Sequence, residues 1–235
     1  MPTALITGAT RGIGRAAADL FSKNGWDLLL VARDVAALAD VAADLRSRGR
    51  EVGFESVDLA DSKVIEPAFD RLLLQGDIPS VLINNAGAGW TSELLTMSLE
   101  DWQWLLQLNL TSVFQVCAST VPLMREHGGL IINVSSHAAR NAFPQWGAYC
   151  VSKAALASFT RCLAEEERDH GIRACTLTLG AVDTSLWDSK NVQSSFDRRA
   201  MLSVEQVAAA LLHLAEQPSS QVIEDLTLMP SIGTF

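Results

Sequence analysis

Ser136, Tyr149 and Lys153 are the side chains of this chain best placed by type and spacing to move a proton. Tyr149 is the only tyrosine present, and Lys153 follows it by four residues. On a helix that spacing puts both on one face, about 5–6 Å apart at Cβ. A phenol has a pKa of about 10 and is a poor base at neutral pH. An ammonium group within roughly 4–6 Å favours the phenolate and would lower that value. Ser136 supplies a second hydroxyl, so the two side chains together are donors suited to an oxygen that becomes negative during reaction. Ser135 competes with Ser136 for this part; the spacing to Tyr149 favours Ser136. Taken alone, a Tyr–Lys pair four residues apart is an ordinary structural feature of helices. Its meaning depends on which elements surround it.

Those elements alternate. An apolar run at Ala4–Thr7 leads through a glycine turn into an alanine-rich helical stretch that ends at Asn24-Gly25. Leu28–Ala32 is continuously apolar, as a strand covered on both faces is. Helix-like segments at about 34–48, 62–75, 100–126, 145–170 and after Ser203 then separate strand-like segments near 51–59, 81–84, 129–135, 173–179 and 222–228. This rhythm predicts an α/β, doubly wound (Rossmann-type) single domain spanning 1–235, with about seven parallel strands and helices on both faces. Ser98-x-x-Asp101 and Ser203-x-x-Gln206 read as capping boxes. Pro122 predicts a kink in the long helix, or its early end near Val121. Residues 183–203 break the rhythm and read as a substrate lid.

Three further features fall at the strand ends where such sheets bind ligands. Gly8, Thr10, Arg11, Gly12, Ile13 and Gly14 form a G-x-x-x-G-x-G turn between the first strand and the first helix, where backbone N–H groups and the helix dipole suit a pyrophosphate. The glycines keep Cβ atoms out of the way of the phosphates. The second strand ends Val31-Ala32-Arg33, without the acidic residue an NAD ribose prefers. Arg33 and Arg11 offer a guanidinium pair for a 2′-phosphate, which favours NADP(H); alternatively Asp34 takes the ribose hydroxyl. Asn84-Asn85-Ala86-Gly87 is a loop after the fourth strand, at the same edge.

Composition narrows the classes. With 235 residues, 49% of them apolar, the chain can bury a large core. Its net charge of −9 argues against nucleic acid or an anionic membrane surface as partner. The four cysteines and four histidines show no metal-type spacing, so no metal site is expected. Reduced thiols, the lack of a signal-like amino terminus and the lack of a long apolar run point to a cytoplasmic protein with no membrane span.

In their order along the chain, the glycine turn, Asp58, Asn84 to Gly87, Asn109, Ser136, Tyr149 and Lys153 make the sequence resemble the short-chain dehydrogenase/reductase family over essentially its whole length. The resemblance implies NADP-linked reduction of a carbonyl, with Tyr149 as general acid or base and Ser136 binding the carbonyl oxygen. It implies that Lys153 bonds the nicotinamide ribose and that Asn109 positions a water in a proton relay. It also places Asp58 and Leu59 at the adenine, Asn85, Ala86 and Gly87 along the cofactor, and Gly180, Val182 and Thr184 at the carboxamide. Where the family usually has Pro-Gly after the sixth strand, this chain has Leu179-Gly180, a change expected to loosen that loop. A homodimer or homotetramer through the two long helices is implied as well.

Trp90, His137, Phe143, Trp146 and Trp187 lie near the candidate site in sequence and are candidates for an apolar, partly aromatic substrate pocket suited to a planar or hydrophobic ketone. The plainer alternative makes them packing residues, as Trp26, Trp102 and Trp104 are expected to be. Two other functions stay open: 3-oxoacyl-carrier-protein reduction, and a regulator that senses NADP without chemistry. Against the first, Lys190, Arg198 and Arg199 are the only basic residues near the lid to meet an acidic carrier. Against the second, a sensor has no use for a proton donor.

Overall fold

The structure, a computed structural model, describes residues 1–194 and 196–233. Seven strands, β1 (Thr3–Thr7), β2 (Asp27–Ala32), β3 (Val52–Ser56), β4 (Val81–Asn84), β5 (Gly129–Ser136), β6 (Ile172–Leu179) and β7 (Asp225–Leu228), form one parallel sheet in the order β3-β2-β1-β4-β5-β6-β7. The order reverses between β1 and β4, which opens a crevice at the carboxyl ends of the strands.

Successive strand residues face opposite sides of the sheet, and both sides are apolar. Ala4, Ile6, Leu28 and Leu30 pack under α1 (Gly12–Lys23), α2 (Val35–Ser47) and a C-terminal helix at Val204–Ala215. Leu5, Leu29, Val31 and Leu82 pack on the other side against α3 (Ser62–Leu72) and the long helical segments that follow it. Continuous apolar runs such as DLLLVA are therefore strands covered on both faces. The fold is doubly wound α/β, as the alternation predicts.

The long helix differs from its sequence reading. It comprises α4 (Leu99–Leu106), a π-helical turn at Gln107–Thr111 and α5 (Ser112–Met124). Pro122 does not end it near Val121: α5 continues to Met124 with Pro122 inside it. Ser98 caps α4 through the Asp101 N–H, and Ser203 with Gln206 closes a full capping box on the C-terminal helix, α7 once α6 (Gly147–Glu166) is counted. Among the described residues no helix is long and apolar enough to cross a membrane.

Candidate active site

β5 and α6 bring Ser136, Tyr149 and Lys153 together. β5 ends at Ser136, a short 3₁₀ turn (His137–Ala139) follows, and α6 begins two residues before Tyr149. The Lys153 Nζ donates to the Val134 carbonyl at 2.9 Å and lies 5.9 Å from the centre of the Tyr149 ring. Ser135 points into α6, its hydroxyl on the Lys153 carbonyl at 3.4 Å, whereas the Ser136 hydroxyl faces the phenol.

The electrostatics depart from expectation. Burial raises the Tyr149 pKa above that of an ordinary phenol, and the opposing influence is the Ser136 hydroxyl rather than Lys153. Lys153 is itself only 6% exposed, and burial brings its pKa down to about 8. An ammonium weakened in this way is a smaller source of positive charge for the phenolate than its spacing suggests.

The π turn carries Asn109. Its Oδ1 accepts from the Ala88 N–H at 2.9 Å, and its Nδ2 donates to the Ala88 carbonyl at 2.9 Å and to Ser152 Oγ at 3.1 Å. Ser152 in turn donates to the Tyr149 carbonyl at 2.8 Å. The side chain of Asn109 thus clamps the Asn85–Gly87 loop to the Tyr149 helix.

The glycine turn is shaped by backbone contact more than by room for phosphate. A Cβ on Gly14 would lie 2.2 Å from the Gly8 carbonyl oxygen, and one on Gly8 2.9 Å from Asn85 Nδ2. Gly8 and Gly12 both have positive φ, +72° and +54°. At Gly12 a Cβ would make only ordinary contact, with Thr184 Cγ2 the nearest atom at 3.5 Å. The Asn85 N–H and the Ala86 N–H both donate to Thr7 Oγ1 at 3.0 Å, which fixes the loop to the end of β1. Asn84 bonds Asn133 across the sheet at 2.8 Å.

At the end of β2 the two readings of the ribose separate. Asp34 is the N-cap of α2, its Oδ1 accepting the Ala37 N–H at 3.0 Å. Arg11 and Arg33 are exposed, and neither side chain has an acidic partner among the described residues. Thr10 and Ile13 sit on the same turn, Ile13 lining the cavity described next. Asp58 is exposed, with Oδ1 accepting the Ala60 N–H at 3.0 Å; Leu59 is buried beside it.

A cavity of about 180 Å³ opens over this edge. Gly87, Ser136, Tyr149, Lys153, Gly180, Val182 and Thr184 line it, and so do His137, Phe143, Trp146 and Trp187 from the substrate candidates. Trp90 does not: its ring packs edge-on against Trp104, centroids 5.6 Å apart, and its place beside the Asn85–Gly87 loop is in sequence only. Leu186, Phe196 and Met229 also line the cavity; no local pattern points to them, because segment 183–203 and the end of β7 deliver them from far along the chain. Trp26, expected to be packing, meets Phe21 at 5.1 Å in the core. Leu179 pairs with Leu228 in the sheet and is buried, and the loop beyond it is tied by Gly180 N–H to Leu228 O (2.9 Å) and Leu202 N–H to Ala181 O (2.9 Å). The loosening expected from the absent proline is therefore offset by strand pairing.

A family model described as short chain dehydrogenase matches residues 2–195. The chain belongs to that family. Within it, the chain is 29% identical over 227 residues to a 3-oxoacyl-[acyl-carrier-protein] reductase, FabG, of Chlamydia muridarum, covering 93% of this chain and 92% of the relative. A solved alcohol dehydrogenase of the archaeon Thermococcus sibiricus, complexed with 5-hydroxy-NADP, superposes with a TM-score of 0.90 at 29% identity, over 98% of this chain and 97% of that one. L-sorbose reductase of Gluconobacter frateurii, complexed with NADPH and L-sorbose, gives 0.87 at 27% identity, over 97% and 95%. As a short-chain dehydrogenase the protein is an oxidoreductase, and its cavity lies at the sheet edge where the family resemblance places reaction.

Proposed function

We propose that this short-chain dehydrogenase reduces a ketone to a secondary alcohol with NADPH, reversibly, in the cavity above β4, β5 and β6. The observation that carries the reading is the convergence of Ser136, Tyr149 and Lys153 on one wall of that cavity, with the glycine turn opening at its edge. Gly12, at φ +54°, and the exposed Arg11 and Arg33 fit a pyrophosphate and a 2′-phosphate. Asp34, already spent as a helix cap, fits a ribose hydroxyl less well. NADP(H) and NADPH in the complexes of the similar structures support the same choice.

The cofactor, when bound, supplies a hydride to the carbonyl carbon. Ser136 orients the carbonyl oxygen, and Tyr149 gives that oxygen its proton, or removes it in the reverse direction. A phenol kept protonated by burial is suited to the donor role at neutral pH. Lys153, half-way to neutral at about pH 8, holds the ribose side and can pass a proton onward. Asn109 fixes Ala88 and, through Ser152, the turn of α6 that bears Tyr149; a water held nearby would complete the relay. The exposed Phe114, Leu123 and Val151 on α5 and α6 support assembly as a homodimer or homotetramer through those helices.

The relatives' names favour a second reading, 3-oxoacyl-carrier-protein reduction. The lid opposes it. Arg198 is committed to Asp183 and Asp188, each at 2.6 Å, and Arg199 to Asp197 at 2.9 Å, which leaves Lys190 to meet an acidic carrier. A regulator without chemistry would leave the Tyr149 wall unexplained. A panel of ketones, diketones, oxo-acids and 3-oxoacyl thioesters, each with NADPH and NADH, separates these readings. We expect simple ketones to be turned over with NADPH, and Arg33→Ala to cut the NADPH preference about 10- to 100-fold, the worth of one charge-assisted bond. Turnover of the thioesters alone, or of nothing, would overturn the proposal.

A further inference from the structure

Four rings run as a ladder from the candidate proton donor to the lid. Tyr149 meets Trp146 (centroids 5.4 Å, planes at 69°), Trp146 meets Trp187 (5.8 Å, 62°) and Trp187 meets Phe196 (5.4 Å, 71°), each edge to face. All four line the cavity, and Phe143 lines it too, its ring 6.3 Å from that of His137. Among the described lining residues Lys153 is the only lysine, arginine, aspartate or glutamate.

The ladder is held from outside. Trp187 Nε1 donates to the Val182 carbonyl at 2.8 Å, which ties the lid ring to the loop after β6. Arg198 joins Asp183 to Asp188 and donates to the Thr184 carbonyl at 3.0 Å, closing both ends of the Trp187 turn. On the opposite side the Thr91 N–H donates to the Asn191 carbonyl at 2.8 Å, and the Gln193 N–H donates to Thr91 Oγ1 at 2.9 Å. Beneath the lid, Gly89 leaves just enough room: a Cβ there would lie 3.2 Å from both Trp146 and Leu186. The rings are thus fixed from the loop after β6 and from the Thr91 loop.

We infer that the substrate is an uncharged aryl ketone, its carbonyl attached directly to a planar aromatic ring that adds a rung to the Tyr149–Trp146–Trp187–Phe196 ladder. A carbonyl bound at Ser136 and Tyr149 places its substituent next to Trp146, the first rung. Aromatic rings carry a negative face and a positive edge, so a flat aromatic guest gains edge-to-face attraction that a saturated guest of equal carbon number lacks. A carboxylate or phosphate on the guest would find no cation there beyond Lys153, and an unpaired buried charge is costly. The inference rests on the ketone-reductase reading. Reduction adds a hydride from NADPH to the carbonyl carbon; the C=O π pair moves to oxygen, which takes the Tyr149 proton. NADP⁺ and a benzylic alcohol result, and solvent reprotonates the tyrosine.

Acetophenone and cyclohexyl methyl ketone share a carbon skeleton and differ in aromaticity, so their kcat/KM ratio isolates the ladder once compared between proteins, where intrinsic reactivity cancels. The expected result is that the acetophenone preference falls about 3- to 10-fold in Trp187→Leu, mostly through KM. Trp187→Phe, which keeps a ring, should retain most of it. Trp90→Leu, outside the cavity, should leave the ratio unchanged. Phe196→Leu, at the outer rung, gives the same test if Trp187→Leu fails to fold. 4-Acetylbenzoate should be at least about tenfold worse than acetophenone. A ratio unmoved by both ladder variants would overturn the inference while leaving ketone reduction standing. An equal rate for 4-acetylbenzoate would overturn its uncharged part, and no turnover of either ketone would overturn the reading beneath it.

Discussion

The two halves of the cavity are built differently. The half at the glycine turn is built on close approach to backbone: a Cβ on Gly14 would strike the Gly8 carbonyl, one on Gly8 would strike the Asn85 side-chain amide and the Ala86 main chain, and Thr7 Oγ1 holds the Asn85 and Ala86 N–H groups. The half under residues 183–203 is made of large side chains, Trp146, Trp187 and Phe196, and that segment is tied by hydrogen bonds to Thr91, remote in sequence. Backbone contact admits one solution and suits a ligand shared by a whole family. Side-chain packing can be exchanged residue by residue, and so is where one member's substrate is chosen.

The sharpest break in that comparison is Gly14→Ala. Its Cβ would meet the Gly8 carbonyl at 2.2 Å, a backbone atom that cannot turn aside. The expected loss is at or above about 3 kcal/mol, with NADPH binding lost in whatever folds, measured by thermal unfolding and cofactor titration. A variant that binds NADPH normally would show that the turn is slack and the two halves are not so different.

Lys153 stands where the halves meet, and its burial gives a pH signature. Its folded pKa is depressed to about 8 from the 10.5 of an ordinary lysine, so between those values the unfolded chain binds more protons than the folded one. Stability from this group therefore rises as pH goes from 8 toward 10.5, by up to roughly 3 kcal/mol, and the cost of the buried charge is fully present below pH 8. Tyr149, raised by burial, acts in the opposite sense above pH 10. In unfolding measurements without ligand, Lys153→Met should gain on the wild type below pH 8, and the difference should shrink as pH rises toward 10. A pH-independent difference would place Lys153 in the more open, solvated part of the cavity.

Sequence legibility follows the same division. The glycine turn, Asn84–Gly87 and the Ser136, Tyr149, Lys153 set are short-range patterns tied to strand ends, and the alternation that predicts seven strands predicts where those ends lie. The structure seats them along one edge. Residues 183–203 show in the sequence only as a break in rhythm. Trp90 misleads because a residue following a binding loop can turn away from it, here toward Trp104. Phe196 and Met229 leave no signal, since their meeting depends on how the lid folds back and on β7 pairing with β6. The π turn at Asn109 is a shift of hydrogen bonds by one residue, and no residue type announces it. The pKa of Tyr149 reflects burial, which helix spacing does not report.

The most direct test of the whole account is Tyr149→Phe, with NADPH affinity and acetophenone turnover measured on the same preparation. The account predicts NADPH affinity within about twofold of the wild type and a fall in kcat of at least about 10²-fold, the loss of one positioned proton donor. Full turnover by Tyr149→Phe would contradict it.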